Sequence, residues 1–221
     1  MIRIRTLAIA VSAALFLAPL AYGADLSEYR QFRLDSDLAG IAAQAGLDPD
    51  AAELSHQRPA RIEQLSWRAG PADSVKGIQF SFYNGELYRM LVDYDRYNTE
   101  GLTAHDMIEA LSQTYGPAAA PAEEITIPTT YGGDETVNVI ARWEDSNWSF
   151  DLVRFKYEPS FAIAGHSKRL RAEAQAAVDE SIRLDRLEAP QRAIRERLDE
   201  DDAKRVEQEE ARRLNKPGFR P

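Results

Sequence analysis

The chain of 221 residues contains no cysteine. That excludes disulfides, thiol nucleophiles and thiolate metal sites, and also the lipidated cysteine that tethers many exported bacterial proteins to a membrane. Histidine is scarce. His56, His105 and His166 are far apart, none has metal-ligand spacing to another, and no HExxH occurs, so no metal ligand is assigned. No serine lies in GxSxG or SxxK, and His105-Asp106 are neighbours in sequence rather than evidence of a triad. The sequence therefore nominates no catalytic residue and no cofactor. Positive charge is also in deficit. Beyond residue 23 there are 25 basic against 36 acidic side chains, a net charge of −11, which repels phosphate backbones and anionic headgroups and argues against nucleic-acid binding.

Long apolar runs are missing after residue 24, but one precedes it. Arg3 and Arg5 open the chain, Leu7 to Leu20 form an apolar run of 14 residues, and Ala21-Tyr22-Gly23 offers a small-x-small cleavage pattern. The run is shorter than the ~20 residues that span a bilayer. These parts, in this order, predict a signal peptide over 1–23, cleavage after Gly23 and a periplasmic or extracellular mature protein with no stable membrane insertion.

What remains is enough for one domain and an appendage. Asp35 or Ser36 is placed to cap a short helix with Leu38, Ile41, Ala42 and Ala45 on one side and Gly46 at its end. RIEQLSW, with Leu65 and Trp67 alternating with polar residues, predicts a strand. The strongest local signal is KGIQFSFYNGELYRMLVDYD. Asn84-Gly85 suits the two positive φ values of a type I′ turn and predicts a two-residue hairpin pairing Phe82 with Leu87, Phe80 with Arg89 and Ile78 with Leu91. The opposite face collects Tyr83, Tyr88, Met90, Val92 and Tyr94, and the pattern leaves open which face is buried.

Next, Thr103 followed by Asp106 makes an Asp variant of the capping box. Leu102 and Met107 occupy hydrophobic-staple positions, Ile108, Leu111 and Tyr115 continue the stripe, and Gly116-Pro117 ends it. Residues 117–136, rich in Pro, Ala and Gly, read as a long loop. VNVIARW and WSFDLVRF, joined by EDSN, predict a second hairpin pairing Trp143 with Trp148, Ala141 with Phe150 and Val139 with Leu152. On its other face Arg142, Ser149, Asn138 and Asp151 should meet water.

SFAIAG suggests a short strand, and Ser167 can cap a helix that Pro190 breaks or kinks. Beyond Pro190, 16 of the 26 residues from 191 to 216 are charged, eight of each sign. Ile194, Leu198, Val206 and Leu214 follow steps of 4, 8 and 8, which does not sustain a heptad. The segment reads as a solvated helix fraying into disorder by 217–221, with a coiled coil as the weaker alternative. The expected architecture is α+β. An antiparallel sheet built from two β-hairpins carries helices on one face, over 24–166, and is followed by a long charged C-terminal helical arm, 167–216.

Two features could carry chemistry. Asp93, Asp95 and Glu100 cluster where a strand gives way to a loop, and the aromatics Tyr83, Tyr88, Tyr94, Trp143 and Trp148 could stack on a ligand. Strand-end charge and core packing explain both more simply. Asp93, Asp95, Tyr88 and Tyr94 together are the one candidate ligand surface.

SVKGIQFSFYNGELYRMLVDYDRYNTEGLTAHDM, RWEDSNWSFDLVR and the closing NKPGFRP resemble members of a family of uncharacterised secreted bacterial proteins, over most of the chain beyond residue 24. The resemblance implies a shared fold and export, with no activity, ligand or catalytic residue to carry over. Two functions are expected: a non-enzymatic periplasmic or envelope interaction module whose arm meets a protein or envelope component, or a carboxylate-dependent hydrolase of cell-envelope polymer using Asp93, Asp95 or Glu100. Oligomeric state is not legible.

Overall fold

A computed structural model describes residues 25–128, 134–156, 160–218 and 220. The expected signal peptide lies outside the described residues. The fold is α+β. A two-stranded ribbon, β1 (Glu28–Tyr29) and β2 (Phe32–Arg33), precedes an eight-stranded antiparallel sheet. The sheet comprises β3 (Glu53–His56), β4 (Ile62–Arg68), β5 (Val75–Tyr83), β6 (Glu86–Tyr94), β7 (Glu124–Pro128), β8 (Asp134–Glu144), β9 (Trp148–Arg154) and β10 (Phe161–Ser167), in the order β3-β4-β5-β6-β10-β9-β8-β7. The helices are α1 (Leu38–Ala45), α2 (Ala104–Tyr115) and α3 (Lys168–Asn215). The two expected hairpins, β5–β6 and β8–β9, lie on either side of β10, which joins them into one sheet.

The first hairpin turns as its sequence demands, with Asn84 at φ 50 and Gly85 at φ 86. Its register starts as expected, Phe82 opposite Leu87, and then shifts. Tyr88 is an extra residue in a bulge, so Ser81 pairs with Arg89, Phe80 with Met90 and Ile78 with Val92. The bulge settles which side is buried. Leu87, Met90, Val92 and Tyr94 now share the face of Ile78, Phe80 and Phe82 and join the main core with them.

That first face is covered by β1–β2, α1 and α2. Phe32 packs edge-on against Phe80 at 4.8 Å between centroids, and Tyr115 of α2 stacks on Phe150 at 4.9 Å. α2 starts as expected: the Asp106 amide donates to Thr103 Oγ1 (3.2 Å) and the Thr103 amide to Asp106 Oδ2 (2.8 Å). α1 is capped one residue later than expected. Asp35 and Ser36 are still bonded to Leu87 of the sheet, so Asp37 caps instead, accepting from the Gly40 amide (2.7 Å).

Three expectations for the second half need correction. The 117–136 segment is not all loop, because Ile125 and Ile127 alternate into the sheet as β7, the edge strand against β8. In the second hairpin Ala141 and Trp143 face the main core as expected but the register differs: Trp143 pairs with Phe150, Ala141 with Leu152 and Val139 with Val153, and the shift between Val139 and Ala141 turns Val139 to the opposite face. The cause is Asp145, whose carboxylate accepts from the Asn147 and Trp148 amides (2.7 and 2.8 Å) and moves the turn one residue along. Finally, Arg142, Ser149 and Asp151 do not face water. Asp151 and Ser149 are buried, Arg142 is mostly so, and of the four only Asn138 is exposed.

α3 explains part of that burial. It reverses at Ser167 and returns over the second face, touching β10, β6 and β5. Its buried seam is Leu170, Ala174, Ala177 and Ser181, spaced 4, 3 and 4. At the far edge Ser181 Oγ meets His56 Nδ1 of β3 at 3.3 Å, and Arg58 holds Glu188 through two bonds of 2.7 and 2.5 Å. The helix then runs through Pro190 without a break. Pro190 has no N–H to offer the carbonyl four residues back, and at that turn the Arg192 guanidinium donates to the carbonyl and carboxylate of Asp185 (2.9 and 3.1 Å).

Residues 191–218 are exposed throughout, and at 1.5 Å per residue the helical part is roughly 37 Å long. Truncation after Ala189 removes no buried side chain among the described residues, so the shortened protein should melt within about 2 °C of the full chain, by the usual scaling of about 2–4 °C per kcal/mol. A drop of 10 °C in differential scanning fluorimetry would make the distal helix part of the fold.

Candidate functional site

The structure separates the four residues singled out by sequence. Tyr94 points into the first-face core, where its hydroxyl accepts from Tyr29 (3.3 Å) and burial pushes both phenols above their ordinary range. Asp93, its neighbour, lies on the opposite face, opposite Ala162 and Gly77. Asp95 has left the strand. Its Oδ1 accepts from the Tyr97 and Asn98 amides (both 2.9 Å), and Asn98 fastens that loop to the carbonyls of Pro71 and Asp73 (3.2 and 2.8 Å). Tyr88, half-buried in its bulge, lies 5.8 Å from the Arg89 guanidinium, and Glu100 is exposed. No shared cleft brings these carboxylates and rings together. Of the other aromatics, Trp143 is core, Tyr83 is half-buried, and Trp148 is a half-buried turn residue whose Nε1 donates to Asp35 (3.2 Å).

The densest chemistry is elsewhere, on the second face. Strand registers align a row of polar residues across seven strands: Glu53, Gln64, Ser81, Arg89, His166, Ser149 and Glu144. The next row holds Ser66, Gln79, Leu91, Ala164, Asp151 and Arg142. Towards β7 the face turns apolar, with Leu91, Val153, Val139, Val137, Ile125 and Ile127 in a second buried cluster.

Within the polar part, Arg142 grips Asp151 through Nε–Oδ1 (2.5 Å) and Nη2–Oδ2 (3.2 Å) and reaches Glu123 with its remaining Nη1 (2.6 Å). Burial pushes the Asp151 carboxyl upward and the guanidinium opposes it; two charge-assisted bonds keep the pair ionic at neutral pH. Arg89 donates to Ser81 Oγ (3.0 Å). His166, 3% exposed, sits between Arg89 and Ser149 with its Nδ1 buried and without a hydrogen-bond partner. Burial above all, then the charges of Arg171, Arg89 and Arg142, hold its ring well below the ordinary histidine range, against a smaller opposing contribution from the Ala164 carbonyl. A ring in this setting is neutral at physiological pH.

Sequence reasoning missed Arg142–Asp151 and His166. A signal for the first was present: an opposite-charge pair across the second hairpin is favourable only in the register the structure adopts. For His166 there was none, because its burial depends on a helix that returns over the sheet.

Among the described residues no group of three or more histidines and carboxylates is disposed to hold a metal, and no helix is long and apolar enough to cross a membrane. A shallow depression of about 430 Å³ between α1 and the β5–β6 turn collects Asp37, Asp50, Glu63 and Glu86 around Arg61, and Arg61 already pairs with Glu63 at 2.7 Å.

No family model and no curated protein sequence matches the chain. Among solved structures, a cysteine-rich secretory protein from Staphylococcus aureus aligns at 9% identity and a TM-score of 0.32, over 65% of this chain and 46% of its own length. This chain thus spans less than half of that protein, and a likeness at this level carries no argument.

Proposed function

We propose that the protein is an exported, non-enzymatic component of the bacterial periplasm or envelope, in which the sheet domain anchors α3 and the distal half of α3 is offered to a partner. One observation carries this reading. From 191 onward every described side chain is solvent-facing, and Ile194, Leu198, Val206 and Leu214 are 54–76% exposed along a helix otherwise laced with ion pairs such as Lys204–Glu200 and Arg205–Asp202. Isolated exposed apolar residues are ordinary, but a helix that buries none of its own has its apolar side chains free for another surface. Export is supported by the composition of residues 1–23 and agrees with the resemblance to secreted bacterial proteins. The alternative, a carboxylate-dependent hydrolase, finds no support in the geometry, since Asp93, Asp95 and Glu100 do not converge.

The test is site-specific photocrosslinking in intact cells, with the probe at Leu198 or Leu214 and a control probe at the exposed Tyr97. The expected result is a discrete adduct from the helix positions only. Identical patterns from all three positions, or no adduct, would overturn the reading, and an adduct at twice the chain mass would make the partner a second copy.

A further inference from the structure

We propose that the seating of the first turns of α3 on the sheet is an acid-sensitive latch, with His166 as the group that releases it. The position of the ring is the reason. His166 is the next-to-last residue of β10, two residues before α3 begins, so the strand that carries it and the helix that crosses its face are one continuous piece of chain. The ring is almost wholly enclosed, its Nδ1 makes no hydrogen bond, and only the Ala164 carbonyl weakly favours a charge on it.

The groups around it are arranged against a second charge. Arg89 faces it from β6, Arg142 from β8, and Arg171 from α3. The nearby carboxylates are already committed. Asp151 on β9 is held by Arg142, and Glu144 at the end of β8 accepts from Lys168 Nζ (2.7 Å). The positive end of the α3 dipole adds to the repulsion.

What the latch must overcome is modest. The α3 seam contributes one leucine, two alanines and a serine, against strand positions that are largely polar. A small change in the charge beneath it is therefore enough to shift the balance towards undocking, whereas the opposite face keeps its aromatic core. The direction follows from linkage. The undocked ring, in water, takes up a proton near ~6.5, and the docked ring only at lower pH. Between those values the open state binds more protons, so docking is complete above about pH 7 and is lost as pH falls below the ordinary histidine range. Asp151 works in the opposite sense, because burial raises its carboxyl and acid neutralises it in place.

Hydrogen exchange of the full chain at pH 7.5 and 5.0, corrected for intrinsic exchange rates, tests this. The opening equilibrium of 168–182 should rise about 30-fold at the lower pH, as expected for an open-state histidine near ~6.5, while β5 and β6 stay protected. In His166→Gln, which keeps every neighbouring charge, that pH response should vanish. An equal response in the variant, or none in the wild type, would overturn the proposal. If the variant does not fold, the wild-type ring decides: His166 should remain neutral at pH 5 by NMR, and a titration midpoint at or above 6.5 would equally refute it.

Discussion

Trp143→Ala should lower stability by about 3–5 kcal/mol, the usual range for emptying a buried aromatic site, and should be the most damaging single truncation in the sheet. Trp143 is 1% exposed, and its Nε1 donates to the Gly116 carbonyl (3.0 Å) and Ser112 Oγ (3.3 Å), closing the end of α2 onto β8. The same ring lies 6.3 Å from Tyr115, so its loss also loosens the Tyr115–Phe150 stack. Trp148→Ala should cost only about 1 kcal/mol, the size of one partly solvated contact and one hydrogen bond, because that ring borders the turn. Urea denaturation of both variants decides the matter. Equal losses would mean that Trp148 is as deeply packed as Trp143, and that the hairpin register is the one read from sequence.

Arg142→Met should cost about 3–5 kcal/mol at neutral pH, the penalty for stranding a buried charge without its partner. Asp151 has no exposed surface, and Arg142 donates two hydrogen bonds to it across the hairpin. Without the guanidinium only the weaker, more distant charge of Arg171 opposes the upward push of burial on the carboxyl. Its folded-state value then lies further above the unfolded one, and the variant binds a proton more tightly when folded. The stability deficit should therefore narrow as pH is lowered from 7 towards 5. The double variant Arg142→Met/Asp151→Leu, which removes both charges, should recover much of the loss. Denaturation midpoints at the two pH values check both statements, and a deficit that widens on acidification would show that Asp151 is not the stranded charge.

These two residues mark where reading along the chain succeeded and where it stopped. Trp143 was assignable to a core from alternation in VNVIARW, which brings Ala141 and Trp143 to the same side, although the irregularity between Val139 and Ala141 turns Val139 to the other face. Arg142 and Asp151 were assigned to water by the same rule. The rule gives the opposite face, but it does not say what covers that face. The candidate ligand surface failed differently: Asp93 and Tyr94 are adjacent on a strand, so alternation alone already places them on opposite sides, and proximity in sequence was the wrong guide.

The sequence by itself determined the features whose causes are local. Asn84-Gly85 adopts the two positive φ values that only such a pair takes readily, Thr103 and Asp106 cap each other across one turn, and the charged, apolar-poor run after Pro190 remains exposed. Tertiary structure alone decided the rest. The bulge at Tyr88 aligns β6 with both β5 and β10. β7 becomes a strand because β8 offers it an edge. The polar row through Arg89 and His166 is buried because α3, continuous with β10, lies back across it. The physical reason is range: caps and turns are settled by neighbours a few residues apart, whereas burial, register and the protonation state of His166 are set by groups that are distant in sequence and meet only once the sheet has closed around them.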